Sequence, residues 1–269
     1  MPFARTGDVE LSYREFGKHH EGTPVLGIMG FAFDARYWAG QVPAVTERRR
    51  FVTFDNRGTG RSTGPVIGTM DDMVEDALAV LDHLEIVRAI VFGVSMGGAI
   101  AQKLVLEHPD RVEALILAVT WARPIEFMRR QHDVARFAIT LGGQTMLTQA
   151  SLVRMFTPRF FEVGRDVVDQ MVAALMAENG PELPTQEVLF AQLDAIDKHD
   201  VADRMADISC PALVLGGKMD MMVPGFASEE IAAALPHASL TMFETGHACM
   251  IEEMPAFNNA VSSFLASLP

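Results

Sequence analysis

The sequence has little cysteine, no long apolar run and no apolar segment close to its start. Its two cysteines, Cys210 and Cys249, are too few for the disulfide framework of a small secreted domain. Gly, Ser or a charged residue interrupts each apolar run well before the roughly 18 residues of a membrane-spanning helix. Residues 1–17 lack the apolar core of a signal peptide. These absences predict a cytoplasmic protein that has no membrane partner.

Positive charge is also scarce, because 22 Lys and Arg stand against 35 Asp and Glu and give a formal net charge of −13. Such a chain repels nucleic acids and anionic membranes, so we expect neither as a partner. The H-E-x-x-H, paired C-x-x-C and G-x-G-x-x-G motifs are missing, and we therefore expect no metal and no cofactor. A small-molecule substrate is the expected partner, and a homodimer stays open.

Apolar residues make up 49% of the chain, and they follow alternating strand and helix patterns. Strands are predicted at residues 24–30, 88–95 and 112–120, and residues 50–62 are predicted as a strand that runs into a Gly-rich turn. Helical spacing of apolar residues at 69–86 predicts an amphipathic helix with Thr69 or Asp71 as its N-cap. Strands that alternate with helices in this way predict an α/β fold, with a parallel sheet and right-handed crossovers.

A helical insertion interrupts this alternation after residue 121. From about residue 124 to 206 the apolar residues follow helical spacing, and no clear buried strand is found. The strand pattern returns at residues 210–220 and again at 239–248. We therefore expect a core domain of residues 1–121 and 207–269, and a helical cap of residues 122–206.

The stretch GVSMG, residues 93–97, places one serine between two glycines where a predicted strand meets a predicted helix. A strand that turns abruptly into a helix strains its apex residue, and side chains two residues before and after it would collide. Glycine at both positions exposes the Ser95 hydroxyl at the edge of the sheet. The Met96 amide then begins the helix with its N–H free for an oxyanion. This context is typical of a nucleophile elbow.

A serine nucleophile needs a base, and the base needs an orienting carboxylate. Asp220 and His247 each follow a predicted parallel strand, so both are expected at the same sheet edge as Ser95. Taken singly, Asp220 also fits a helix or turn cap, and His247 also fits a surface loop. Taken together, in the order Ser, Asp, His, the three residues predict a catalytic triad.

Four segments in this order resemble motifs of the α/β-hydrolase family, in its branch of esterases, lactonases and C–C hydrolases. They are FDNRGTGRS at 54–62, GVSMGG at 93–98, LVLGGKMDMMVP at 213–224 and GHACMIEEMPAFNNAVSSFL at 246–265. The resemblance implies a mostly parallel, eight-stranded sheet flanked by helices, with an inserted helical cap. We interpret Asp55, Arg57 and Ser62 of the first segment as residues that shape a turn, not as catalytic residues.

The resemblance also implies an oxyanion hole, formed by the backbone N–H groups of Phe31 and Met96. Phe31 follows the first buried strand, where many family members have a His-Gly pair. Here the pair is Met29-Gly30, and methionine lacks the hydrogen-bonding groups of histidine. A backbone donor does not depend on the side chain that precedes it, so we retain Phe31 as a predicted donor.

Residues and resemblance together predict a serine hydrolase that forms an acyl-enzyme on Ser95. The expected substrate is a carboxylic ester or lactone of a small, mainly apolar molecule, since the cap is rich in apolar residues. A C–C bond hydrolase or an enol-lactonase with the same triad is an alternative, and so is a non-catalytic ligand-binding protein of the same fold. The predicted pocket residues are Gly30, Trp38, Trp121, Phe127, Phe137 and Met155.

Overall fold

Eight β-strands are found in the computed structural model, which describes residues 1–66, 68–176 and 183–269. They are β1 (Phe3–Thr6), β2 (Val9–Phe16), β3 (Val25–Ile28), β4 (Phe51–Phe54), β5 (Ala89–Val94), β6 (Val112–Ala118), β7 (Ala212–Gly217) and β8 (Ala238–Phe243). Strands β3, β4, β5 and β7 are buried over their whole length. Continuous apolar segments are typical of strands that are covered on both faces of a parallel sheet.

The strands form one sheet in the order β1-β2-β4-β3-β5-β6-β7-β8. Strand β2 pairs antiparallel with β1 and β4, and all the other pairs are parallel. The carboxyl ends of parallel strands lie at one edge of the sheet, where ligands bind in open α/β folds. Phe31 follows β3, Ser95 follows β5, Asp220 follows β7 and His247 follows β8. The topology therefore brings all four predicted positions to one edge.

The described residues also form ten α-helices. They are α1 (Val42–Thr46), α2 (Met70–His83), α3 (Met96–Glu107), α4 (Glu126–Met155), α5 (Pro158–Val163), α6 (Arg165–Met176), α7 (Gln186–Lys198), α8 (Phe226–Ala234), α9 (Cys249–Glu252) and α10 (Met254–Ser267). Helices α1 and α10 contribute to the core on one face of the sheet, whereas α2, α3 and α8 contribute to the core on the other. None of the described helices is long and apolar enough to cross a membrane.

The start of α2 is fixed by a reciprocal pair of hydrogen bonds. The Thr69 hydroxyl accepts the Asp72 N–H at 3.3 Å, and the Asp72 carboxylate accepts the Thr69 N–H at 2.8 Å. This is a capping box, which satisfies two N–H groups that the first helical turn leaves without partners. Of the two predicted caps, Thr69 is therefore the one that the structure uses.

Helices α4 to α7 lie in the chain between β6 and β7, as the helical insertion predicts. Helix α4 is kinked at Gly142 and at Gly143, whose φ of +56° lies in the left-handed region that favours glycine. The His132 ring and the Asp197 carboxylate join α4 to α7 with a hydrogen bond of 2.6 Å. The division into a core and a cap at residues 121/122 and 206/207 stays a prediction.

Candidate active site

Ser95 is the apex of a sharp turn between β5 and α3, with φ +55° and ψ −117°. Residues other than glycine rarely have such a positive φ, and surrounding contacts must hold them there. A Cβ atom on Gly93 would lie 2.3 Å from the Gly97 carbonyl oxygen, and one on Gly97 would lie 2.0 Å from the Ile28 carbonyl oxygen. Close backbone contacts therefore require both glycines, in agreement with a nucleophile elbow.

The end of β6 supports the elbow. The Ala118 carbonyl oxygen accepts the Ser95 N–H at 2.9 Å, and the Thr120 hydroxyl donates to the Ser95 carbonyl oxygen at 2.8 Å. A Cβ atom on Gly98 would lie 2.6 Å from the Thr120 Cβ, so that glycine also allows a close approach. Sequence reasoning missed Thr120, because nothing distinguishes it from any other threonine at the end of a strand.

Asp220 and His247 form a hydrogen-bonded pair next to the elbow. The Asp220 Oδ2 atom lies 2.7 Å from His247 Nδ1, and the side chains are 1% and 10% exposed. Asp220 Oδ1 accepts the N–H groups of Met222 at 2.7 Å and Val223 at 2.9 Å, which fix the orientation of the carboxylate. Because Oδ2 is an acceptor, this pairing assigns the proton of a neutral His247 ring to Nδ1 and leaves Nε2 as an acceptor.

Ser95 and His247 line the same cavity. In the described part of the chain, the Ser95 hydroxyl has no hydrogen-bond partner, and no bond joins it to the His247 ring. Contacts between a nucleophile and its base are often loose before substrate binds and shorten in the reacting complex. The structure thus brings the three predicted triad residues to one place, with the Asp220–His247 bond already formed.

Two backbone N–H groups next to Ser95 have no acceptor among the residues that the structure describes. They belong to Phe31, in the loop after β3, and to Met96, the first residue of α3. A Cβ atom on Gly30 would lie 3.1 Å from Ser95 Cβ, so the loop passes directly beside the nucleophile. Free N–H groups next to a nucleophile, one of them at a helix N-terminus, are suited to bind an oxyanion.

Gln192 of α7 holds the loop that carries Phe31. Its Oε1 accepts the Ala32 N–H at 3.1 Å, and its Nε2 donates to the Thr59 hydroxyl at 3.2 Å. Gln192 is fully buried, and Ala32 has a φ of +65°, which is strained for a residue with a Cβ. Sequence reasoning missed Gln192, because a single glutamine on an amphipathic helix carries no motif.

Residues 54–62 form a turn that supports the same loop. The Asn56 amide donates to the Met29 carbonyl oxygen at 2.9 Å, and Asp55 Oδ1 accepts the Ala35 N–H at 2.8 Å. The Ser62 hydroxyl donates to the Asp55 carbonyl oxygen at 2.6 Å. These hydrogen bonds agree with the structural interpretation of the turn, and they anchor the backbone on both sides of Gly30 and Phe31.

Arg57 of this turn pairs with Asp76 of α2. The guanidinium donates to the two carboxylate oxygens at 3.0 and 2.5 Å, and Asp76 is 2% exposed. Burial raises the pKa of Asp76, and the Arg57 charge opposes that rise. Neither residue lines the cavity of Ser95. The ion pair therefore joins the turn to α2 and lies outside the cavity of Ser95.

The cavity beside Ser95 has a volume of about 100 Å³ and is mostly apolar. Its polar side chains are those of Tyr37, Ser95, Thr148, Ser151 and His247. No Lys, Arg, Asp or Glu is found among the described residues that line it. The volume is small, and no Lys, Arg, Asp or Glu of the described lining offers a charged partner, so a small neutral ligand fits it best.

Two of the six predicted pocket residues lie in the lining of this cavity, and four lie elsewhere. Gly30 and Met155 line the cavity, whereas Trp38, Trp121, Phe127 and Phe137 do not. Trp38 is fully buried against Phe51 and Phe92 in the core that α1 and α10 cover, with ring centroids 5.5 and 4.6 Å apart.

Burial and exposure explain why the other three residues lie outside this lining. Trp121 is 2% exposed and packs edge-on against His199, with ring centroids 6.4 Å apart. Phe127 and Phe137 of α4 are 42% and 69% exposed, so they lie on the outer surface of the helix. An apolar residue type favours burial, but it does not tell which face of a helix looks into a cavity.

Within the described residues, no group of three or more His, Cys, Asp or Glu side chains is arranged to hold a metal ion. Cys210 and Cys249 are free thiols. Burial raises the pKa of Cys249, which therefore stays protonated and is a poor nucleophile. Tyr37, which lines the cavity, also has a pKa raised by burial and then by the Asp34 charge, so it remains a neutral hydroxyl.

Comparison with known proteins agrees with this architecture. A family model described as alpha/beta hydrolase fold matches residues 23–254. A relative from Azorhizobium caulinodans, which bears the name carbamate hydrolase RutD, is 30% identical over 100% of this chain and 99% of its own length. The 3-oxoadipate enol-lactonase 2 of Acinetobacter baylyi is 28% identical, over 96% of this chain and 94% of its own length.

A solved structure is similar over the same extent. The enol-lactonase from Burkholderia xenovorans LB400 superimposes with a TM-score of 0.89 at 29% identity, and the match covers 99% of this chain and 100% of that one. The family match covers most of the chain, and the eight-stranded sheet and the helical insertion agree with it. The chain belongs to the alpha/beta hydrolase family.

Proposed function

We propose that this hydrolase cleaves a small, neutral carboxylic ester or lactone through an acyl-enzyme on Ser95. One observation carries the proposal: a strained serine and a histidine held by a buried aspartate line one apolar cavity, beside two free backbone N–H groups. A nucleophile, a base and an oxyanion site within one cavity are the parts that acyl transfer needs.

In the first half of the reaction, His247 Nε2 takes the proton of the Ser95 hydroxyl as Oγ attacks the carbonyl carbon. The carbonyl oxygen becomes an oxyanion and accepts hydrogen bonds from the Phe31 and Met96 N–H groups, each worth about 3 kcal/mol in the transition state. Asp220 stabilises the imidazolium through Nδ1. His247 then gives its proton to the leaving alkoxide oxygen, and the C–O bond breaks.

In the second half, His247 takes a proton from a water molecule, whose oxygen attacks the acyl carbon. The same two N–H groups bind the oxyanion again, and the proton passes to Ser95 Oγ as the acyl–oxygen bond breaks. A linear ester yields a separate alcohol and acid, whereas a lactone yields a single hydroxy acid. Both substrates use the same atoms of the site, so the triad alone does not separate them.

The lining of the cavity supports a neutral substrate. A charged group transferred into it would lose its hydration without gaining an opposite charge, because none of the described lining residues is an ionised Lys, Arg, Asp or Glu. Apolar contacts come from both sides of the site, for example from Met29 and Val94 of the sheet edge and from Leu152 and Met155 of α4. We therefore place an apolar acyl or alkyl group there.

Replacing the nucleophile tests the proposal. Ser95→Ala is expected to lower kcat/KM for p-nitrophenyl esters and for a lactone panel by at least about a thousandfold. A fluorophosphonate probe should label the parent at Ser95, and His247→Ala should abolish the labelling. Ser267→Ala, at the exposed end of α10, is the matched control and should keep the parent activity.

Two outcomes would refute this proposal. The assignment of Ser95 is wrong if Ser95→Ala retains activity within tenfold of the parent. If the parent shows neither labelling nor hydrolysis of any ester or lactone, the ligand-binding alternative replaces the enzymatic one.

A second candidate is a lactonase for a carboxylate-bearing enol-lactone, in line with the names of two relatives. It depends on one residue of this chain, Arg154. Arg154, next to the cavity-lining Met155, donates to the Ala150 carbonyl oxygen and to Gln131 Oε1, and no carboxylate pairs with it among the described residues. Burial lowers the pKa of Arg154. If this candidate holds, Arg154→Met selectively slows lactones that carry a carboxylate.

A further inference from the structure

Two hydroxyl side chains of α4 line the mostly apolar cavity beside Ser95. Leu147, Thr148, Ser151, Leu152 and Met155 all line it, and their spacing of three to four residues places them on one face of the helix. Thr148 is 8% exposed, and Ser151 is half-buried. Thr148 and Ser151 therefore lie next to each other on this face of α4, which we call the hydroxyl stripe, and apolar side chains flank them.

Neither hydroxyl has a hydrogen-bond partner among the described residues. A helical Thr or Ser commonly donates to the carbonyl oxygen four residues earlier, as Thr140 of the same helix does to Arg136 at 2.8 Å. Thr148 and Ser151 do not use this local acceptor. Both residues line the cavity, so a ligand oxygen bound there accepts a hydrogen bond from these hydroxyls without breaking a bond within the protein.

The charges around the hydroxyl stripe define what kind of oxygen fits. No ionised Lys, Arg, Asp or Glu is found among the described cavity-lining residues. The guanidinium of Arg154, which follows on the same helix, donates to Ala150 and Gln131, and Arg154 is not among the residues that line the cavity. Hydroxyl donors without a nearby cation stabilise a neutral carbonyl oxygen but do not offset the desolvation of a carboxylate.

We propose that Thr148 and Ser151 form a subsite for a neutral carbonyl oxygen on the part of the substrate remote from the scissile ester or lactone bond. The subsite rests on the proposed function, because it defines the substrate of the same cavity. The substrate class is a small keto-substituted ester or lactone. Both hydroxyls donate to the ketone oxygen, and the apolar neighbours contact the carbon chain on either side of it.

Matched substrates test the subsite. In one series of p-nitrophenyl esters a ketone is moved along the acyl chain, and in a second series of butyrate esters it is moved along the alcohol part. Each ketone is compared with the plain ester of equal length and with an ester that has a carboxylate at the same position. The readout is the ratio of kcat/KM for the ketone to kcat/KM for the plain ester.

The parent is expected to prefer one ketone position over both the plain ester and the carboxylate. Thr148→Val and Ser151→Ala should each lower the ketone-to-plain ratio about three- to tenfold, the effect of one lost hydrogen bond. Thr148→Ser, which keeps the hydroxyl, should preserve the ratio and so separates the hydroxyl from a general packing defect. Thr140→Val, whose hydroxyl is exposed and bonded within the helix, is the matched control.

A binding measurement makes the result independent of turnover. Calorimetric titration of the Ser95→Ala variant with ketone and plain esters should give the same preference, and adding Thr148→Val should remove it. An unchanged ratio in both hydroxyl variants, or a parent that binds every plain ester as well as its ketone analogue, overturns the subsite. Ketone-selective binding in a parent that hydrolyses no ester overturns the proposed function and leaves the subsite standing.

Discussion

Gln192 is the residue whose removal tests how the loop after β3 is held. The change Gln192→Met keeps the length of the side chain but removes both of its hydrogen bonds. It leaves the Ala32 N–H and the Thr59 hydroxyl without their partner, in a region where Gln192 is fully buried and Thr59 is 2% exposed. The loop then loses the contact that fixes the strained φ of +65° at Ala32.

The magnitudes follow from the two lost contacts. Each buried polar group left without a partner costs about 1–3 kcal/mol, so the free energy of unfolding should fall by roughly 2–6 kcal/mol. Phe31 directly precedes Ala32, and relaxation of the loop moves its N–H away from the oxyanion. Complete loss of one oxyanion donor costs about a hundred- to a thousandfold in kcat. We expect a displaced donor to lower kcat by about ten- to a hundredfold, with little change in KM.

Thr59→Val is the matched control, because it removes the acceptor of Gln192 Nε2 but leaves the Ala32 bond intact. It should lower the free energy of unfolding by about 1–3 kcal/mol, because one buried group loses its partner, and keep kcat within about threefold of the parent. Steady-state kinetics on a p-nitrophenyl ester and urea unfolding of all three proteins give the comparison. The reasoning is refuted if Gln192→Met keeps the parent kcat, or if Thr59→Val slows the reaction equally.

Three further predictions concern stability, measured by urea unfolding. Gly97→Ala should lower the free energy of unfolding by about 4 kcal/mol or more, because the new Cβ would lie 2.0 Å from the Ile28 carbonyl oxygen. A stable, active variant would contradict this. Arg57→Met should cost about 3–5 kcal/mol because it leaves Asp76 buried without its cation, and combining it with Asp76→Leu should restore most of the loss. Burial lowers the pKa of His199 to about 4, below the value of about 6.5 in the unfolded chain. The free energy of unfolding therefore keeps its full contribution from neutral His199 above about pH 6.5, and it falls by up to about 1.4 kcal/mol per pH unit between pH 6.5 and 4. His199→Gln should flatten the pH dependence in that window, and an equal slope in parent and variant would disprove the assignment.

Features set by local backbone geometry could be predicted from the sequence. The GVSMG turn follows from steric contacts between neighbouring residues, and the structure shows the collisions that Gly93 and Gly97 avoid. Thr69 begins α2 because its hydroxyl and the Asp72 carboxylate satisfy N–H groups within one turn. The positions of Asp220 and His247 after parallel strands follow from topology, which sends all the carboxyl ends of those strands to one edge.

Features that depend on contacts distant in sequence could not be predicted. Gln192 reaches Ala32 across 160 residues of chain, and its amide fits many surface or core positions equally well. Trp38 is an aromatic residue of the kind that often lines a pocket. Its ring is instead fully buried in the core between the sheet and helices α1 and α10, where Phe51 and Phe92 contact it. Strand β1 was also missed, because only one of its four residues is buried and its apolar pattern is therefore weak.

The contacts of Gln192 give the helical insertion two roles in the proposed reaction. Helix α4 supplies the cavity wall that contacts the substrate, whereas α7 supplies the side chain that holds the loop of the Phe31 donor. Helices α4 and α7 are joined by the hydrogen bond between His132 and Asp197. A change that shifts α4 to admit a larger substrate therefore displaces α7 as well, and we expect altered specificity to bring a lower kcat unless the Gln192–Ala32 bond is kept.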